Sequence, residues 1–156
     1  MRKEDVDIEL SGLAFDFFYW FSRFEFALKE NNYLKSHKPG AKAEPGWDEF
    51  VKAWGTKYTP SIDTSVLLTS PPERQIVLSN KTPGWEPVEL ADCQTELEKV
   101  VRLVKTVRNN LFHGGKHGAL GWDNQQRARL LLTASKQVLD QLAKLASIEA
   151  DYTRYY

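Results

Sequence analysis

Residues 107–118 read VRNNLFHGGKHG. An arginine, an asparagine and a histidine stand at positions 108, 109 and 113, and two glycines follow. Histidine takes or gives a proton near neutral pH. A guanidinium clamps a phosphate and stabilises charge developing on it. An amide can orient either group. Arg108, Asn109 and His113 are therefore a minimal set for phosphodiester cleavage without a metal, and in RNA the 2′-hydroxyl is a built-in nucleophile. A structural reading of the same residues has His113 capping a helix carbonyl and Arg108 in a surface pair. In a continuous helix, Arg108 and His113 would stand about 140° apart and Asn109 and His113 would share a face. Ending the helix at Gly114 and Gly115 would instead let His113 turn towards Arg108. A third arrangement sets one copy of the stretch against a second across a twofold axis.

The surroundings of this stretch are basic. Lys99, Arg102, Lys105, Arg108 and Lys116 occur between positions 99 and 118, and no Asp or Glu does. Arg102, Lys105, Lys116 and His117 are the candidate substrate contacts. A solvated basic face is the usual explanation of such a stripe, and cations near a helix C-terminus complement its dipole. The whole chain balances 21 Lys and Arg against 21 Asp and Glu, which argues against a general polyanion-binding coat. No Gly-rich phosphate loop, dinucleotide fingerprint, HExxH or GxSxG motif occurs. A single cysteine, Cys93, excludes an internal disulfide and a thiolate zinc site. No cofactor is expected.

The motif must be positioned by helices. In residues 89–112, Leu90, Cys93, Leu97, Val100, Val101, Val104, Val107 and Leu111 recur at three/four spacing, which predicts an amphipathic helix. Asp123 with Gln126 resembles a capping box opening the next helix, 124–149, with Ala128, Leu131, Ser135, Val138, Leu142 and Leu145 inward. Residues 8–33 predict a long first helix, apolar at Leu10, Leu13, Phe17, Phe21, Phe24 and Leu28 but aromatic on its other faces as well. A helix apolar nearly all round is buried on more than one side. The second cover is either another subunit or the middle of the chain. Arg23 and Glu25 within it need partners: they pair with the next helix or support a site. Residues 31–46 predict a polar loop, 47–57 a short helix. Five prolines forbid a long helix in 58–88, leaving a small hairpin or an irregular covering loop. The sum is one all-α domain over 1–156, a four-to-five-helix bundle with an insert at 58–88 that is either irregular or holds a small hairpin. The most apolar stretch, 10–28, carries Asp16, Arg23 and Glu25, which argues against a membrane span. With no secretory-type leader at its start, a cytoplasmic setting is expected.

The run RNNLFH, Arg108 to His113, matches the R-x4-6-H signature of HEPN domains, with the polar residue that the family favours after the arginine. FSRFEFALK, residues 21–29, resembles the first helix of some prokaryotic HEPN families, and the helix order is similar too. Residues 58–88 lie outside the resemblance. The resemblance implies a helical bundle that dimerises about a twofold axis, with two motifs meeting in one cleft. It implies a metal-independent endoribonuclease leaving 2′,3′-cyclic phosphate ends, in a toxin–antitoxin or antiviral-defence setting, with RNA, a second copy and an antitoxin or other defence protein as partners. By position His113 would be the general acid/base, Arg108 the phosphate clamp and Asn109 the orienting residue. Gly115 replaces the tyrosine that family members silenced by nucleotidylation carry two residues after the histidine, so that control is not expected. The competing reading is a non-catalytic dimeric helical module that binds nucleic acid, a nucleotide or a protein.

Overall fold

The computed structural model describes residues 7–113 and 125–154, with the side chain of His113 outside that set. The described residues form six helices and one two-stranded sheet: α1 (Ile8–Glu30), α2 (Trp47–Trp54), α3 (Ile62–Thr69), β1 (Glu73–Val77), β2 (Pro83–Pro87), α4 (Glu96–His113), α5 (Gln125–Leu145) and α6 (Glu149–Thr153). The fold is mostly helical, as expected; a hairpin, one of the two options for 58–88, is present, and the described residues hold one helix more than the four-to-five anticipated.

The long helices begin and end where side chains satisfy their free backbone groups. Asp7 accepts from the Leu10 N–H at 2.7 Å and opens α1. α1 ends at Glu30, three residues before the expected end at Tyr33; Asn31 closes it, and Asn32 adopts φ 62° just beyond. α4 starts at Glu96 rather than Glu89. Thr95 Oγ1 accepts from the Glu98 N–H at 3.1 Å, and Glu98 reaches back to the Gln94 N–H at 2.8 Å. This is the capping-box pattern T-x-x-E, which stops the helix from extending further towards the N-terminus. The chain leaves α5 at Leu145, Ser147 turns through φ 55°, and α6 follows as a separate short helix. The Asp123 cap lies outside the described residues.

Ser61 caps α3 by accepting from the Thr64 N–H, so the apolar run 65–68 is helical and not a strand. Residues 73–77 pair antiparallel with 83–87, in the register Glu73 to Pro87 and Val77 to Pro83. A two-stranded sheet leaves each strand one open edge, which tolerates the two prolines of β2. The hairpin is tied down from below: Asn110 Nδ2 donates to the Glu73 carbonyl at 2.7 Å. Arg127 of α5 donates to Ser70 Oγ and to the Pro71 carbonyl.

One core joins the elements. Phe17, Phe24 and Leu28 of α1, Phe50 of α2, Leu67 of α3, Leu97, Val100, Leu103 and Val104 of α4, and Leu132, Val138, Leu139 and Leu142 of α5 are buried. α1 packs chiefly on α5 and α6, and α4 on α2, α3 and α5. The second apolar side of α1 is covered partly by α2 and α6. Trp47 stacks on Phe24, and Trp20 meets Tyr152. Tyr152 is therefore buried, and it donates to Asp140 at 2.8 Å. Burial, then that carboxylate, pushes its phenol well above the ordinary tyrosine range. Phe15, Phe18 and Tyr19 of α1 stay uncovered, at 65%, 40% and 38% exposure. No described helix is long and apolar enough to cross a membrane.

Candidate active site at the end of the fourth helix

α4 remains helical through His113. The expectation that Gly114 and Gly115 would release His113 from the helix therefore does not hold for its backbone. Asn109 and position 113 lie one turn apart on a common face, and Arg108 is displaced from 113 by about 140°. The side chain of His113, with Lys116 and His117, lies outside the described residues.

The basic stripe divides into two parts. Lys99 donates to Glu96 at 2.6 Å. Arg102 reaches both carboxylate oxygens of Asp92, at 2.5 and 3.0 Å, donates to the Glu89 carbonyl and lies 3.6 Å from Glu98. Each of these cations is held above its ordinary range, led in both cases by the hydrogen bond to the carboxylate, and the same bond from Arg102 lowers Asp92. Lys105 and Arg108, one and two turns further on, have no carboxylate partner among the described residues.

Arg108 is held by other means. Its guanidinium lies 4.6 Å from the Phe112 ring centre and 5.7 Å from that of Phe21, contacts that fix a cation without neutralising it. Nη1 donates to Asn109 Oδ1 at 3.2 Å. Arginine has five N–H donors, so the remaining fork can bind an oxyanion. Phe112 in turn touches Phe18 of α1, their ring centres 5.1 Å apart.

Two adjoining hollows lie along this part of α4, and Arg108 lines one of them. The larger, about 710 Å³, runs between α2 and α4 and is lined by Arg102, Lys105 and Asn109 among others. The smaller, about 520 Å³, is closed by α1, the 31–46 loop, α2 and α4, and is lined by Glu25, Trp47, Asp48, Lys105 and Arg108. Asp48 and Lys105 belong to both. The loop is a closed strap: Leu34 bridges to Pro45, and the Gly46 N–H donates to the Tyr33 carbonyl at 2.8 Å. A Cβ on Gly46 would come within 2.6 Å of the Leu34 backbone, so only glycine permits that closure.

The two charged residues of α1 separate. Glu25 faces the smaller hollow, and its Oε1 accepts from the Trp47 indole at 3.0 Å. Arg23 turns to the other side, where it donates to the Asp151 and Tyr152 carbonyls and lies over Phe26. The fold thus gathers Glu25, Lys105, Arg108 and Asn109 and does not bring Arg23 to them. Sequence reading did not single out Trp47, Asp48 or Phe112 for the site. The R-x4-H spacing itself encloses Phe112, and WDEF at a helix start marks the other two.

Comparison with family models, with curated proteins and with solved structures returned no significant match to this chain.

Proposed function

We propose that this chain is a HEPN-type endoribonuclease that cleaves RNA without a metal, using Arg108, Asn109 and His113 of two copies. The observation that carries the reading is Arg108. It sits at the end of a long late helix, braced by two aromatic rings and an asparagine, with no carboxylate partner among the described residues and a ligand-sized hollow beside it. A purely structural arginine would be expected to resemble Arg102 or Arg127, with its donors consumed by carboxylates, carbonyls or hydroxyls. The resemblance of RNNLFH to the family signature supplies the reaction.

In that reaction a histidine at position 113 takes the proton of the 2′-hydroxyl. The 2′-oxygen attacks the adjacent phosphorus, and the bond to the 5′-oxygen breaks as that oxygen takes a proton from a histidinium at position 113, which restores the neutral imidazole. Arg108 balances the charge gathering on the non-bridging oxygens, and Asn109 holds the guanidinium in line. The products are a 2′,3′-cyclic phosphate and a 5′-hydroxyl. The second copy docks through Phe15, Phe18, Tyr19 and Phe112, an exposed aromatic patch that runs up to Arg108. An antitoxin or other defence-system protein is the partner that such an activity calls for.

End-labelled single-stranded RNA incubated with the purified protein in EDTA tests this. Expected products end in 2′,3′-cyclic phosphate. RNA that is bound and recovered intact would favour the non-catalytic binding module.

A further inference from the structure

We propose that the 520 Å³ hollow beside Arg108 is a guanine subsite, in which Glu25 and Asp48 read the base of a nucleotide whose phosphate lies on Arg108 and Lys105. The inference rests on the reading of Arg108 as a phosphate contact.

Charge on the walls of the hollow carries it. Half of the charged residues of the lining are paired. Glu44 pairs with Lys35 and Lys42, and Glu49 with His37. Among the described residues, four charged groups of the lining have no ion pair: Arg108 and Lys105 on the α4 side, Glu25 and Asp48 on the α1 and α2 side. The chamber is therefore two-ended. The α4 wall offers donors and positive charge, and on the α1 and α2 wall the two unpaired charges are both carboxylates. Its ligand should carry an anion at one end and a donor edge at the other. The volume is ordinary for a small-molecule site, about 300 to 1,000 Å³.

A nucleotide fits that pattern, and the donor edge selects the base. Guanine alone presents two adjacent donors, N1–H and the N2 amino group, on its pairing edge. Adenine and cytosine each set an acceptor beside their amino group, and uracil flanks one N–H with two carbonyls. A carboxylate opposite any of these three meets a lone pair. Glu25 is well placed for this role. The indole of Trp47, itself 4% exposed and stacked on Phe24 at 5.1 Å, fixes one oxygen. Oε1 keeps a second lone pair and Oε2 keeps both, enough for a bidentate contact. Single-stranded RNA is commonly read in this way, by hydrogen bonds to the pairing edge of a splayed base.

Two measurements on the full chain test the subsite. The first is the cleavage of uridine-rich oligonucleotides containing one guanosine, inosine, adenosine or uridine at a fixed position. The second is calorimetric binding of GMP, IMP and UMP. Guanosine should exceed uridine by about tenfold or more, the scale of one bidentate base contact, with inosine, which lacks the N2 amino group, in between. Glu25→Gln keeps an acceptor for Trp47 but replaces the second oxygen with a donor, and the guanosine-to-uridine ratio should collapse towards one. Asp48→Asn should reduce it less. If Glu25→Gln loses its helical circular dichroism, the wild-type ratios and Asp48→Asn decide instead. Equal binding of GMP and UMP, together with cleavage indifferent to the base, overturns the subsite and leaves the nuclease standing. Preferential GMP binding that Arg108→Ala weakens, without cleavage of any RNA, supports the subsite and removes the nuclease.

Discussion

Arg102 and Arg108 lie on one helix, six residues apart, and are used in opposite ways. Arg102 gives its fork to Asp92 and another donor to a carbonyl of the preceding turn, which ties residues 89–92 to the start of α4. Arg108 lies on Phe112 and Phe21 and gives one donor to a neutral amide. A guanidinium bonded to carboxylates has little left for a ligand. One held by ring faces is oriented, still charged and still has free donors. The same division separates Lys99 from Lys105. A basic stripe continuous in sequence is thus half structural and half available.

The largest effect that would break this contrast falls on catalysis. Arg108→Ala should lower RNA cleavage by about 10²–10³-fold, the usual loss on removing one transition-state donor, with an unchanged thermal melt. Arg102→Ala should lower the melting temperature by a few degrees and reduce cleavage only several-fold; equal losses from both variants would erase the distinction. A glutamate at Phe18 should shift the light-scattering mass from two chains to one and abolish cleavage, because charge in the aromatic patch opposes docking.

Smaller effects appear as pH dependence. The Asp92 carboxyl is held below its ordinary value by Arg102. Its contribution is therefore present above the usual carboxylate range and fades as pH falls through its lowered value. Asp92→Asn should flatten the acid limb of a melting-temperature profile. Tyr152 has the opposite sense. Its phenol is raised by burial and by Asp140, so stability holds up to about pH 10, where an exposed tyrosine ionises, and falls beyond it. Tyr152→Phe should cost about 1 kcal/mol at neutral pH and remove its share of the alkaline loss.

Much of the bundle was legible because helices announce themselves by period. Val100, Val104 and Val107 sit inward as their spacing requires, and so do Ala128, Ser135, Val138 and Leu142. Boundaries were less legible. Leu90 and Cys93 continue the three/four rhythm of α4, yet Thr95 and Glu98 cap the helix after them, and a local hydrogen bond overrides a weak periodic signal. In the middle segment the apolar runs 65–68 and 75–78 look alike. A capping serine, Ser61, makes the first helical, and a strand partner five residues beyond makes the second extended. The site was legible as residue types and not as pairings. Nothing in the spacing of Arg23 and Glu25 shows that one binds the carbonyls of α6 and the other faces Arg108's hollow, because their partners lie far along the chain. The same holds for Arg102, whose partner Asp92 precedes the helix.

Cleavage of labelled single-stranded RNA in EDTA by wild type, Arg108→Ala and His113→Ala at one micromolar concentration is the most direct measurement. Wild type should leave 2′,3′-cyclic phosphate and 5′-hydroxyl ends, and both variants should leave the RNA intact while melting normally. RNA left whole by the wild type, or cut equally by Arg108→Ala, would contradict a phosphate-binding role for the arginine at the end of α4.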